Sequence, residues 1–227
     1  MITGRRRFIT LEGPDGAGKS VQASRLADRL RAAGHVVTLT REPGGTPLGE
    51  RIRDVLLMGD DAPRTPQSDA LLFNAARSQL VRDVIAPALA RDETVICDRF
   101  AESTVAYQGY GSGVDHGSLR QLERLATGGL RPDLIVLLDV PVAVGLARRA
   151  RGAASELTRF ERSSQHDMAF HERVRQGYLE MAASDPQRWC VIDAGTDPAA
   201  VADQIAQHLQ EDLHPSEPSA SPLRIRS

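Results

Sequence analysis

Three observations in the sequence predict an α/β protein, a five-stranded parallel sheet with helices on both faces. Five short apolar runs alternate with helix-period segments along the 227 residues, the order that joins parallel strands through crossover helices. One glycine-rich segment, Gly13-Pro14-Asp15-Gly16-Ala17-Gly18-Lys19-Ser20, matches the phosphate-loop pattern G-x-x-x-x-G-K-[ST] in full. Polar residues also collect just after the strand candidates, where open α/β sheets bind their ligands.

The first strand is expected over 7–12, because Phe8-Ile9-Thr10-Leu11 is apolar and β-rich. After the glycine loop, Ala23, Leu26, Ala27 and Leu30 recur at helical spacing. Arg25, Arg29 and Arg31 lie off that stripe, and Gly34 supplies a stop. Strand, loop and amphipathic helix together form the context the loop pattern requires. Further strands are expected over 35–40, 94–98, 134–139 and 189–193, and Ile135-Val136-Leu137-Leu138, the most continuous apolar run, is expected to be central. Ser68–Ile85 reads as one long helix carrying Phe73, Asn74, Arg77 and Gln79. Leu119, Leu122 and Leu125 mark another, closed by Gly128-Gly129. Ala200–Leu213 reads as a last amphipathic helix, with Val201, Ile205 and Leu209 on one face. The Pro/Ser-rich stretch 214–227 shows no periodicity and reads as a disordered tail after a single domain over 1–213.

Composition narrows the function. The net charge is −2, too small for a broad basic field facing nucleic acid. No apolar stretch has membrane-spanning length and no signal-peptide core is visible, so a cytoplasmic location is expected. Cys97 and Cys190 lie in apolar runs and read as buried thiols. Among 28 Lys and Arg residues, Lys19 is the one lysine. An ammonium is a compact point charge that fits inside a tight backbone loop, where a planar guanidinium does not.

In that loop, backbone N–H groups and the helix N-terminus would cradle phosphates, Lys19 would reach the β/γ-phosphates, and Ser20 would ligate Mg²⁺. The chain is therefore expected to bind a nucleoside triphosphate. The guanine-reading N-K-x-D sequence of GTPases is impossible with no second lysine, and motor or transport ATPases are larger. Polar residues expected at the ligand edge are Asp15, the segment Arg41-Glu42-Pro43-Gly44-Gly45, Asp98-Arg99 and Asp139. Two arginines and several carboxylates there suit two phosphorylated molecules and a metal, with either Asp98 or Asp139 as the metal carboxylate. Arginines in later segments suggest a kinase for a small acceptor under an arginine-rich lid.

At this point the chain resembles the bacterial thymidylate kinases. The blocks that carry the resemblance are Glu12–Ser20, Thr40-Arg41-Glu42-Pro43-Gly44-Gly45-Thr46, Phe73-Asn74-Ala75-Ala76-Arg77, Asp98-Arg99-Phe100, Ala106-Tyr107-Gln108-Gly109, Arg131-Pro132-Asp133-Leu134 and Thr158-Arg159-Phe160-Glu161. The resemblance implies a three-layer P-loop NTPase fold, strand order 2-3-1-4-5, and a short lid at about 147–168. It implies transfer of the γ-phosphoryl of ATP to dTMP with Mg²⁺, and a homodimer. ATP would meet Gly13, Pro14, Asp15, Gly16, Ala17, Gly18, Lys19, Ser20 and, beside the adenine, Arg148. Asp15 would bond the acceptor's 3′-hydroxyl, and Arg41 and Arg99 its phosphate. Phe73 would stack on the thymine, Arg77 would bond a ring carbonyl, and Tyr107 and Gln108 would line the sugar pocket. Asp98 is preferred to Asp139 near the metal because it is coupled to Arg99. The transition-state arginine is one of Arg149, Arg151 and Arg159. Ala101-Glu102-Ser103-Thr104 departs from the family's Asp-Ser-Ser, and base contacts are carried over to Ser103 and Thr104. Two readings compete: a kinase for another nucleoside monophosphate or for a deoxynucleoside, and a nucleotide-binding module without turnover.

Overall fold

A computed structural model of the chain describes residues 7–58, 63–151 and 168–213. Five strands, β1 (Phe8–Glu12), β2 (Val37–Arg41), β3 (Thr94–Asp98), β4 (Leu134–Asp139) and β5 (Trp189–Asp193), pair in parallel in the order β2-β3-β1-β4-β5. The expected order is the observed one. β1 holds the middle of the sheet, and β4, expected to be central, is the interior strand beside it.

The period-two alternation of each strand assigns residues to faces. Ile9, Leu11, Ile96, Val136, Leu138 and Ile192 point to one face, where α1 (Lys19–Ala32) and the C-terminal helix Pro198–Leu213 bury Ala23, Leu26, Val201 and Ile205. Phe8, Val95, Cys97, Ile135, Leu137 and Trp189 point to the other. Glu12, one register step from Leu11, falls on this second face although it carries a charge, and it is fully buried. Both cysteines are buried and unbridged.

On the second face, α3 (Pro66–Leu80) brings Leu80 into the cluster of Val95 and Cys97 from β3, and α2 (Pro47–Arg53) packs Ile52 near Ala76 of α3. The helix expected over 68–85 starts earlier, because the Thr65 hydroxyl accepts the Ser68 N–H at 3.1 Å and Pro66 suits the first turn. It also runs on, through a π-helical stretch at Val81–Ile85 into α4 (Ala86–Ala90). Pro87 has no N–H for the regular ladder, and the turn before it widens, with Ala86 N–H reaching Val81 O. The short α5 (Ala101–Thr104) and the π-helical Val105–Gly111 carry the chain to α6 (His116–Thr127). There Leu119 is buried, whereas Leu125 is 82% exposed. α7 (Val142–Arg151) follows β4, and α8 (Met168–Ser184) buries Val174, Tyr178 and Ala182 against Ala106, Ile135, Leu137 and Trp189. The final helix is α9 (Pro198–Leu213). Most of the expected lid, and the expected tail, lie outside the described residues.

Candidate active site

All five strands point their carboxyl ends at one edge, and the loops there enclose a cavity of about 820 Å³. Its wall includes Asp15, Gly16, Gly18, Lys19 and Ser20 from the glycine loop. Lys19 is 7% exposed, and its ammonium donates to the carbonyls of Gly13 (3.0 Å) and Pro14 (2.8 Å). Burial, reinforced by repulsion from Arg99 and opposed by Asp15, Asp98 and Glu12, lowers its pKa to about 8. Next to it, the Ser20 hydroxyl donates to Asp98 Oδ2 at 2.5 Å.

Asp98 and Asp139 end strands on opposite faces of the sheet, and the structure separates them. Asp139 is held by both arms of the Arg175 guanidinium from α8, at 2.7 and 2.8 Å. Asp98 bonds Ser20, and its Oδ1 is buried with no hydrogen-bond partner. A hydroxyl beside an unsatisfied carboxylate oxygen at the mouth of a phosphate loop fits a hard, oxygen-loving cation such as Mg²⁺. Among the described residues no cluster of three His, Cys, Asp or Glu side chains forms a metal cage.

Arg99 is the hub of the site. Its backbone adopts φ 70°, a left-handed conformation that costs a non-glycine residue roughly 1–2 kcal/mol. In this conformation the guanidinium lies over the glycine loop, within reach of Gly13 and Asp15. It donates to Asp15 Oδ1 (2.5 Å), Tyr107 Oη (3.3 Å), Ser103 Oγ (3.1 Å) and Gly13 O (3.4 Å), and lies 5.1 Å from the Tyr107 ring centre. Burial opposes the Asp15 charge, but Arg99 and Lys19 outweigh it and hold its pKa below the usual carboxylate range. Tyr107, pushed upward by burial, stays a neutral phenol.

Deeper in the cavity, Arg77 is 1% exposed and held by four hydrogen bonds. Nε donates to Glu42 Oε2 (2.9 Å), Nη1 to Asn74 Oδ1 (3.0 Å), and Nη2 to Phe100 O (3.1 Å) and Thr104 Oγ1 (3.0 Å). These use four of its five N–H groups and leave one on Nη1 for a ligand. Phe73, one turn earlier on α3, lines the same wall and packs on Ile52, Leu56 and Ala76. Gln108 is buried beside them. The Ser103 and Thr104 hydroxyls already serve protein partners: Ser103 donates to Glu12 Oε2 at 2.6 Å, and Thr104 accepts from Arg77.

Arg41, the last residue of β2, is half exposed and paired with Glu50 at 3.2 Å. Arg148 donates to the carbonyls of Ala194 (2.6 Å) and Gly195 (3.1 Å) and lines the cavity. Arg149 also lines the wall. Arg151 is exposed and does not, and Arg159 lies outside the described residues. Sequence reasoning gave no role to Arg53, which enters the wall from α2 while donating to Pro43 O at 2.9 Å. It also gave none to Glu12, whose signal was a lone carboxylate ending an apolar strand, or to Tyr178, which reads locally as an ordinary core aromatic.

The family model described as thymidylate kinase matches residues 11–205, from the end of β1 into α9. The chain belongs to the thymidylate kinase family. A thymidylate kinase of Thermomicrobium roseum is 57% identical over 198 residues, covering 87% of this chain and 91% of the relative. One from Deinococcus radiodurans is 55% identical over 188 residues, covering 82% and 88%. The crystal structure of thymidylate kinase from Ehrlichia chaffeensis superposes with a TM-score of 0.73 at 34% identity, covering 89% of this chain and 98% of that one. The all-parallel sheet in the order β2-β3-β1-β4-β5 is that of the P-loop NTPase fold.

Proposed function

We propose that the cavity transfers the γ-phosphoryl group of ATP to the phosphate of dTMP, giving dTDP and ADP. The observation that carries this reading is the Arg99–Asp15 pair. It links the triphosphate loop to a second compartment walled by Phe73, Arg77, Tyr107 and Gln108. The glycine loop, Lys19 and Arg148 take the donor. Arg99, with Arg53 and Arg41 beside it, takes the acceptor phosphate. Asp15 takes the sugar hydroxyl, Phe73 stacks on the base, and Arg77 gives its remaining N–H to a ring carbonyl.

An oxygen of the acceptor phosphate attacks the γ-phosphorus as the bond to the β-phosphate oxygen breaks. That oxygen is already anionic at neutral pH, so no strong general base is required. Ser20 and Asp98 would hold Mg²⁺, which would neutralise phosphate charge when bound. The chain's own share is positioning and fixed charge: Lys19 and Arg99 on either side of the transfer, with a lid arginine, Arg149 among the candidates.

A coupled ADP-release assay across dTMP, dUMP, dCMP, dGMP and AMP tests the reading. The highest kcat/KM is expected for dTMP. A preference for another monophosphate would refute the acceptor, and nucleotide binding without turnover would refute the enzyme. A cytoplasmic location is part of the same proposal; among the described residues no helix is long and apolar enough to cross a membrane. The exposed Leu71, Ala75 and Ser78 along α3 support a homodimer face. Sedimentation of the parent chain and of Leu71→Arg should show a dimer and its loss.

A further inference from the structure

The reaction scheme leaves Tyr178 unused, yet its hydroxyl reaches the centre of the site. Tyr178 lies on α8, and its ring is fully buried among Ala106, Ile135, Leu137, Val174 and Trp189. A phenylalanine would meet the packing needs of that cluster equally well. The hydroxyl needs another explanation, because burying it costs about 1–3 kcal/mol unless it is hydrogen-bonded.

It is bonded to the supports of Arg99. The phenol donates to Glu12 Oε2 at 3.0 Å, lies 2.9 Å from Ser103 Oγ, and accepts from Arg99 Nη1 at 3.4 Å. Glu12 is a fully buried carboxylate whose other donors are the Phe100 N–H (2.7 Å) and the Ser103 hydroxyl (2.6 Å). Ser103 in turn accepts from Arg99 at 3.1 Å. Glu12 ends β1 directly before the glycine loop, and Arg99 and Ser103 follow β3. Tyr178 therefore ties a third, distant segment to the two that build the site.

We infer that Tyr178 is a positioning residue, whose hydroxyl completes the hydrogen-bond shell of Glu12 and thereby holds Arg99 at the acceptor phosphate. This rests on the assignment of Arg99 to that phosphate. Without the phenol, a buried carboxylate keeps two donors where it had three. Its remaining charge then pulls Arg99, joined to it through the Ser103 hydroxyl, away from Asp15 and the acceptor. Lys19, bonded to the Gly13 and Pro14 carbonyls, is not drawn with it.

The test is Tyr178→Phe, alone and combined with Glu12→Gln, with both substrates titrated and thermal midpoints recorded. The dTMP KM should rise about tenfold, kcat should fall less than about threefold, and the ATP KM should stay within about twofold. The double variant should be no worse than Glu12→Gln alone, because both changes act through one network. If Glu12→Gln does not fold, Ser103→Ala replaces it in the cycle. A dTMP KM within about twofold of the parent would overturn the inference, as would additive effects in the double variant. A parallel rise in both KM values with a lowered midpoint would also overturn it, since that reports packing alone. Arg99→Ala serves as the separate control: an unchanged dTMP KM there would remove the reading of Arg99 itself.

Discussion

Substituting Gly145 by alanine should impair catalysis without unfolding the protein. Gly145 lies in the first turns of α7, where its backbone meets the glycine loop with no side chain between them. A Cβ on Gly145 would stand 2.4 Å from the Asp15 carbonyl oxygen, where ordinary contact begins at 3.4 Å. From the other side, Gly16 has φ +75°, and a Cβ there would lie 2.0 Å from Gly145 O. Alanine suits a helix better than glycine by about 1 kcal/mol, and this offsets part of an overpacking cost of about 1–3 kcal/mol. Net stability should therefore move little. The loop, however, must retreat by about 1 Å, carrying Asp15 off its bond to Arg99, and a displacement of that size costs on the order of 10²-fold in rate. We expect kcat/KM for dTMP to fall about a hundredfold, which is about 2.7 kcal/mol of transition-state stabilisation. The thermal midpoint should stay within a few degrees. Val144→Ala, one residue away and solvent-facing, should leave the rate unchanged. A Gly145→Ala rate within about threefold of the parent would refute the loop-contact argument.

Two further predictions concern protons. Because burial and Arg99 lower the Lys19 pKa to about 8, and triphosphate favours its charged form, ATP binding should draw in a proton above that pH. Uptake should be about 0.1 proton at pH 7 and about 0.9 at pH 9. Titration calorimetry in two buffers of different ionisation enthalpy reads it, and uptake that is flat with pH, or preserved in Lys19→Met, contradicts the reading. Glu102 is buried near Glu12 and Glu123, and its pKa is raised to about 8, chiefly by burial. The unfolded chain releases this proton near pH 4.5, so its contribution to stability is full below that pH and is lost as pH rises to about 8. The slope is at most about 1.4 kcal/mol per pH unit. Glu102→Gln removes that loss, so its thermal midpoint should gain on the parent's between pH 5 and 8. Parallel curves would exclude the effect.

Much of the fold was legible from local pattern. The strand and helix periods, the stops at Gly34 and Gly128, and the glycine loop all act over a few residues, so a linear reading finds them. The exceptions are physical. The helix extends beyond the expected 68–85 at both ends, because the Thr65 cap and the π-helical turn before Pro87 depend on hydrogen bonds to the backbone that no residue periodicity marks. Leu125 fits a helical stripe but faces solvent, because the burying face turns toward Ala126 and Thr127.

The sequence by itself determined the chemistry of the loop, the alternation that makes the sheet parallel, and, through its motif blocks, family membership. These are short-range properties of residue type and spacing. Only the tertiary structure separated Asp98 from Asp139, because the difference lies in a partner, Arg175, contributed by another helix. It alone brought Tyr178 to Glu12 across 166 positions and placed Gly145 against Gly16. Hydrogen bonds and close backbone contacts of this kind are set by how elements pack, and no local pattern encodes their partners.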